Sequence, residues 1–319
     1  MLLPELTRRG LGLLLTAALT ACSASSDGRT MAHVRVATGG TKGVYYSYGQ
    51  ELAKVLNGRL EGVDASVDPT AGSVENLQRI ADSRSTLAFV AADAAADAVE
   101  GRGPFSEPLP IRAVARVYDD FVHLVVSSAS SARDITGLRG LRVSVGSPSS
   151  GTELIANRML SIAGLDWKKD IRRVRLGINE SANALRNGDI DAFFWSGGLP
   201  TSGVTELSQS VPVRLLPLGE LVDEMRERYG PSYRRATIPI GTYSTAAEVT
   251  TIAVPNYLVT NASTDSGLIR RLTWVLFARR DEMARAVPAV ALLDRRAAIA
   301  TVPVPLHDGA LRYYRDVKR

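Results

Sequence analysis

Two turns combine hydroxyl side chains with glycine backbone: Thr38-Gly39-Gly40-Thr41-Lys42-Gly43 and Gly146-Ser147-Pro148-Ser149-Ser150-Gly151-Thr152-Glu153. Each follows a β-branched run and precedes apolar residues at helical spacing, so each reads as strand, tight loop, helix. Ser150 to Glu153 matches the S-x-x-E capping box, which starts a helix near Ser150. The first amides of a helix have no partner inside it and lie at its positive end, so such a turn accepts an anion. A capped helix with no ligand is the plainer reading of either turn alone. A third turn, Pro69-Thr70-Ala71-Gly72-Ser73, precedes Val74, Leu77, Ile80 and Ala81 in the same manner, and several helix starts could then face one ligand.

The elements that would position these turns alternate along the chain, which predicts an α/β architecture with largely parallel strands. Val34 to Ala37 reads as a strand, and Tyr45, Tyr48, Leu52, Val55 and Leu56 as one helix face. By this spacing Tyr45 and Tyr48 are core aromatics and Tyr46 points elsewhere, toward a ligand. Strands are predicted at Thr86 to Val90, Ile111 to Val117, Phe121 to Ser127, Leu141 to Val145, Ile171 to Leu176, Asp191 to Trp195 and Val249 to Val254. Helices are predicted over Ala91 to Val99, from Ser150 to Gly164, over Ser181 to Arg186 with a stop at Asn187-Gly188, and around Leu268, Leu272, Val275 and Leu276. The stretch through Tyr233 is polar, with no element assigned. The expected organisation is one lobe from residues 32–126 and 250–319, a second from 127–249, and a cleft between them. Phe121 to Ser127 and Val249 to Val254 are the crossing strands.

Arg8 and Arg9 precede the apolar run Leu11 to Leu19, so residues 1–21 read as a signal peptide, too short for a stable membrane span. Leu19-Thr20-Ala21-Cys22 resembles a bacterial lipobox, which makes Cys22 the expected lipidation site, followed by a flexible tether over 22–31. Thr7-Arg8-Arg9 leaves the export route open between twin-arginine and general secretion. Cys22 is the single cysteine, so the mature chain has no disulfide. The chain of 319 residues carries a net +5; without Glu5, Arg8 and Arg9 it has 36 basic against 32 acidic side chains, +4. That mild excess, with no basic block, argues against nucleic-acid binding. No nucleophile elbow, paired histidines at ligand spacing, P-loop or dinucleotide fingerprint occurs. His33, His123 and His307 stand apart and read as packed or capping residues. The expectation is a non-enzymatic, extracytoplasmic protein, monomeric, with no cofactor or metal.

Ala37-Thr38-Gly39-Gly40-Thr41-Lys42-Gly43-Val44-Tyr45-Tyr46, Gly72-Ser73-Val74-Glu75-Asn76-Leu77, Leu87-Ala88-Phe89-Val90, Val143-Ser144-Val145-Gly146 with Ser150-Gly151-Thr152-Glu153, Asp191-Ala192-Phe193-Phe194 with Gly197-Gly198, and Leu306-His307-Asp308-Gly309-Ala310 resemble, in order, the TAXI family of solute receptors. That family serves tripartite ATP-independent periplasmic (TRAP) transporters. The resemblance implies a type II periplasmic-binding-protein fold closing over a small organic anion, glutamate-like or a dicarboxylate, and delivery to a TRAP-type permease. It implies ligand-facing roles for Thr38, Gly39, Thr41, Tyr46, Ser73, Asn76, Ser150, Gly151, Thr152, Trp195, Ser196 and Gly197. Lys42, where the family often has a small residue, is either a solvated turn residue or a cationic contact. Two other roles remain open from the sequence: a lipoprotein that reports ligand to a membrane sensor kinase, and a lipid-anchored hydrolase using Ser150.

Overall fold

A computed structural model describes residues 31–318. The signal peptide, Cys22 and nearly all of the tether lie outside the described residues. In chain order the elements are β1 (Ala32–Ala37), α1 (Val44–Arg59), β2 (Val63–Asp68), α2 (Ser73–Ala81), β3 (Leu87–Ala91), α3 (Ala92–Glu100), β4 (Ile111–Ser127), β5 (Arg142–Ser144), α4 (Gly151–Ile162), β6 (Arg172–Val174) and α5 (Ile178–Asn187). There follow β7 (Ala192–Gly197), α6 (Ser202–Ser210), β8 (Val213–Leu215), α7 (Val222–Tyr229), β9 (Arg234–Ile238), β10 (Val249–Asn261), α8 (Ser266–Ala278), α9 (Arg280–Ala284) and α10 (Asp308–Asp316).

The strands form one sheet in the order β2-β1-β3-β10-β4-β7-β5-β6, with β8 on β4 and β9 on β10. Pairing is parallel within β2-β1-β3 and within β7-β5-β6, and antiparallel where the long β10 and β4 join the two groups. Parallel strands point their C-terminal ends the same way, and the connections leaving those ends open into helices. α1 follows β1, α2 follows β2, α4 follows β5 and α5 follows β6. Ligand crevices of α/β sheets form at such strand ends.

Two strands expected on either side of Tyr118-Asp119-Asp120 are one 17-residue strand. Aspartates are poor strand formers, but tertiary partners keep the pair extended: Asp119 accepts from Arg116 (2.8 Å) and from Arg234, and it pairs opposite Pro255 of β10. The polar stretch before Tyr233 folds into α6, β8 and α7. A three-residue strand such as Val213–Leu215 is too short to display a period.

One apolar core runs beneath both strand groups. It joins Val90, Ala94, Ala95 and Ala98 of β3 and α3 to Ile155, Ala156 and Met159 of α4. Inside it sits a buried ion network. Arg158 pairs with Asp97 and lies 3.5 Å from Asp93, while its Nη1 donates to the Tyr233 hydroxyl (2.8 Å), which donates to Asp93 (2.9 Å). Burial pushes the Asp93 carboxyl up, and the Arg158 guanidinium beside it works against that rise. Removing one partner of such a pair leaves uncompensated buried charge. Arg158→Met is expected to lower stability by about 3–5 kcal/mol in urea denaturation at pH 8. The loss should shrink on acidification, because the buried Asp93 carboxyl without its cation is harder to ionise in the folded chain than in the unfolded one. A loss independent of pH would show that packing, not charge, accounts for the effect.

Candidate functional site

Four helix starts border one cavity. Gly43 and Val44 open α1, Gly72 and Ser73 open α2, Ser150, Gly151 and Thr152 open α4, and Gly177 and Ile178 open α5; all line the same space. The α4 start is built by its own sequence. Ser150 Oγ accepts from Glu153 N (3.0 Å), and Glu153 Oε2 accepts from Ser149 N (2.9 Å), one residue ahead of a standard capping box. Glu153 is fixed from behind by Arg173 and by Arg175 Nε (2.7 Å).

Close approach of these starts requires glycine at two places. Gly146 has φ +102°, and a Cβ there would stand 2.8 Å from Thr152 Cβ and 2.9 Å from Glu153 N. Gly151 lets α4 come within reach of α2, since a Cβ on it would lie 2.8 Å from Ser73 Oγ. Ser149 N–H is used by Glu153, while its carbonyl accepts from Glu75 N (3.1 Å), joining the α2 and α4 starts.

Of the residues predicted to face a ligand, Gly39, Ser73, Ser150, Gly151, Thr152, Trp195, Ser196 and Gly197 line the cavity. Thr38 does not; it is buried beneath, with Oγ1 donating to Asp68 O (2.9 Å). Asn76 is likewise structural, its Nδ2 donating to Thr38 O (2.6 Å) and Phe89 O (2.8 Å). Thr41 borders a separate surface pocket with Leu199, Pro200 and Ala286. Tyr46 points away, its hydroxyl accepting from Gln50 Nε2 (3.2 Å). Lys42 is an exposed ion pair with Glu206 (2.7 Å). His33 pairs with Asp64, His307 caps α10 by accepting from Gly309 N (3.1 Å), and His123 is buried against the Tyr243 hydroxyl (3.1 Å).

The α1 tyrosine on the cavity is Tyr45, one position from the predicted one. It reverses the helical argument because the cavity lies between α1 and the sheet, so a residue facing the core faces the ligand space as well. Its ring stacks on Phe89 at 5.5 Å, and its hydroxyl donates to Asn256 Oδ1. Tyr118 and Asp120 of β4 complete the floor and had no sequence signal, since they lie in the gap left between two predicted strands. Among the lining residues there is no lysine, arginine or histidine, and Asp120 is the one charged side chain.

Asp120 is 3% exposed. Burial, opposed by the neighbouring Asn256 amide and the Ser196 and Tyr118 hydroxyls, pushes its carboxyl up to about 7. Those neighbours steady it without fully satisfying it. Ser196 Oγ stands 3.4 Å from Oδ2, while Asp120 Oδ1, Tyr118 Oη and Asn256 Nδ2 have no hydrogen-bond partner of normal geometry. Burial raises both Tyr45 and Tyr118 well above the ordinary phenol range, so both stay protonated donors. The cavity is about 60 Å³. A water needs roughly 10–15 Å³ on this measure, so the space suits a compact solute.

The raised carboxyl makes a stability statement. Between the unfolded value near 4 and the folded value of about 7, the folded chain binds the extra proton, so this group costs stability as pH rises. Burial lowers His123 to about 4, which has the opposite slope between 4 and 6.5, so comparison of one variant with wild type isolates Asp120. Asp120→Asn should make the ligand-free protein more stable at pH 8, on the order of a few kcal/mol, with the gap closing by pH 4 in thermal unfolding. A constant gap across that range would contradict the burial account.

The methylphosphonate complex of PhnD1 from Prochlorococcus marinus MIT 9301 superimposes with a TM-score of 0.56 at 11% identity, covering 90% of this chain and 96% of that one. A binding-protein component of a phosphonate ABC transporter from Pseudomonas aeruginosa gives 0.53 at 10% identity over 83% and 80%. A protein of Bordetella bronchiseptica RB50 gives 0.52 at 21% identity over 88% of both chains. The fold is thus the two-lobe α/β fold of periplasmic solute-binding proteins. The model of the NMT1-like family matches residues 36–317, nearly the whole described chain, and the protein belongs to that family.

Proposed function

We propose that the protein is an extracytoplasmic solute receptor, held to the membrane by a lipidated Cys22, that encloses a small organic anion and delivers it to a TRAP-type permease. The observation that carries the binding half is the meeting of four helix starts on a cavity whose lining contains no cationic side chain. Amides and hydroxyls from Ser73, Gly151 and Thr152 then take the place of an arginine, while Ser150 is used in the cap, its Oγ donating to Ser147 O (2.7 Å). A carboxylate oxygen suits that set, because each buried donor to a charged acceptor contributes about 1.5–3 kcal/mol. Contacts between the loop before α1 and the start of α6 support enclosure: Ser202 Oγ donates to Lys42 O (2.8 Å) beside the Lys42–Glu206 pair. The permease and the anchor rest on the ordered TAXI-like blocks and on the Leu19 to Cys22 signal. No helix among the described residues is long and apolar enough to cross a membrane.

Thr152→Val keeps side-chain volume and removes one hydroxyl, while Ser150 still caps α4. Isothermal calorimetry against small carboxylates, with sugars and neutral amides alongside, should show a loss of about tenfold to a hundredfold for carboxylates. Unchanged affinity in a folded variant, or binding of the neutral compounds alone, would overturn the anion cradle. Separately, metabolic labelling with a fatty acid should mark the wild type and miss Cys22→Ser. Labelling of the variant, or none of the wild type, would remove the anchor.

A further inference from the structure

The anion cradle explains the helix starts but leaves the floor of the same cavity unused. Asp120 is the only ionisable acid in the lining, it is almost wholly buried, and its Oδ1 has no partner. Two basic groups come near but are engaged elsewhere: Arg116 and Arg234 both bind Asp119, whose side chain is on the other face of β4. Alternation along a strand sends successive side chains to opposite faces, so neither guanidinium can turn to Asp120 without breaking those pairs. A buried carboxylate without a cation is costly, and a cavity that keeps one has a use for it.

We infer that Asp120 is the charge-selecting residue of the site, and that the solute is a zwitterion: its carboxylate sits on the helix starts and its cationic nitrogen on Asp120. This inference rests on the anion-cradle reading and narrows it. A dicarboxylate would bring its second negative charge to the one negative side chain in the lining. An ammonium group brings up to three donors to Oδ1 and Oδ2, and the Ser196 hydroxyl beside Oδ2 is a further acceptor. Tyr45 and Tyr118 form an aromatic wall at the same end, their ring centroids 6.3 Å apart, which also favours a cation over an anion.

The test uses matched pairs that differ only in the amino group: the nineteen protein amino acids with a primary amino group and 4-aminobutyrate, each against its desamino acid. Calorimetry of the wild type should show at least one amino compound bound about tenfold to a hundredfold more tightly than its partner. Asp120→Asn keeps the shape and a neutral donor but removes the charge, and should abolish that margin while the variant's melting curve shows it folded. If the desamino acids bind as tightly, or the margin survives in Asp120→Asn, Asp120 is not the selector although the anion cradle stands. If carboxylates bind in neither form, the inference fails together with the reading beneath it.

Discussion

Backbone N–H groups in the first turn of a helix have no partner within that helix, and an assembly that points several such turns at one space must satisfy them from outside. Four do so here, because the antiparallel β3-β10-β4-β7 joins reverse the second strand group, so that the C-terminal ends of β1 and β2 face those of β5 and β6, and each feeds a helix. Parallel pairing within each strand group is therefore what creates the site. Gly146 and Gly151 then let the α4 turn approach α2 closely enough for Ser73, Ser150 and Thr152 to share one cavity. Everything at the site that favours negative charge is backbone or hydroxyl. Its only formal charge, on Asp120, has the opposite preference, and a solute that carries both signs reconciles the two ends.

The two strand groups are not independent bodies joined by thin linkers. The described residues form one compact unit, and α3 and α4 bury a common apolar surface around the Arg158 network. Lys42, Glu206 and Ser202 meet on the surface by comparison, through exposed polar contacts that contribute little to stability. Relative motion of the groups would thus be easier at the Lys42 side of the cavity than at the Arg158 side. Long β4 and β10 run through both, and their register shifts near Pro255 and Tyr257 place irregular pairing next to Asn256 and the cavity floor.

Much of this was legible from residue order. The three hydroxyl-glycine turns lie where the strand and helix periods placed them, and the loops before α2 and α4 contribute the cavity residues expected of them. Thr38 and Asn76 misled because hydroxyl and amide groups in such turns serve two purposes alike, ligand contact and satisfaction of the turn's own backbone; only the partners Asp68, Thr38 and Phe89 tell which. Tyr46 misled because helical periodicity separates core from solvent and carries no mark for a cleft on the core side. Asp120 was invisible for a different reason. Aspartate is a poor strand former by local propensity, so the pair fell between two predicted strands, and its extended state follows from Pro255, Arg116 and Arg234, two of them more than a hundred residues away.

The central claim is that backbone amides at helix starts, with no arginine or lysine, hold the anionic end of the solute. A crystal structure with a solute retained through purification, its identity read by mass spectrometry, tests this most directly. The expected result is a carboxylate oxygen within roughly 2.7–3.2 Å of amides or hydroxyls at Ser73, Gly151 and Thr152, with no cationic side chain in contact. An anion seated instead on Arg173 and Arg175 in the groove beside Trp167, with the cavity between α2 and α4 left to water, would contradict it.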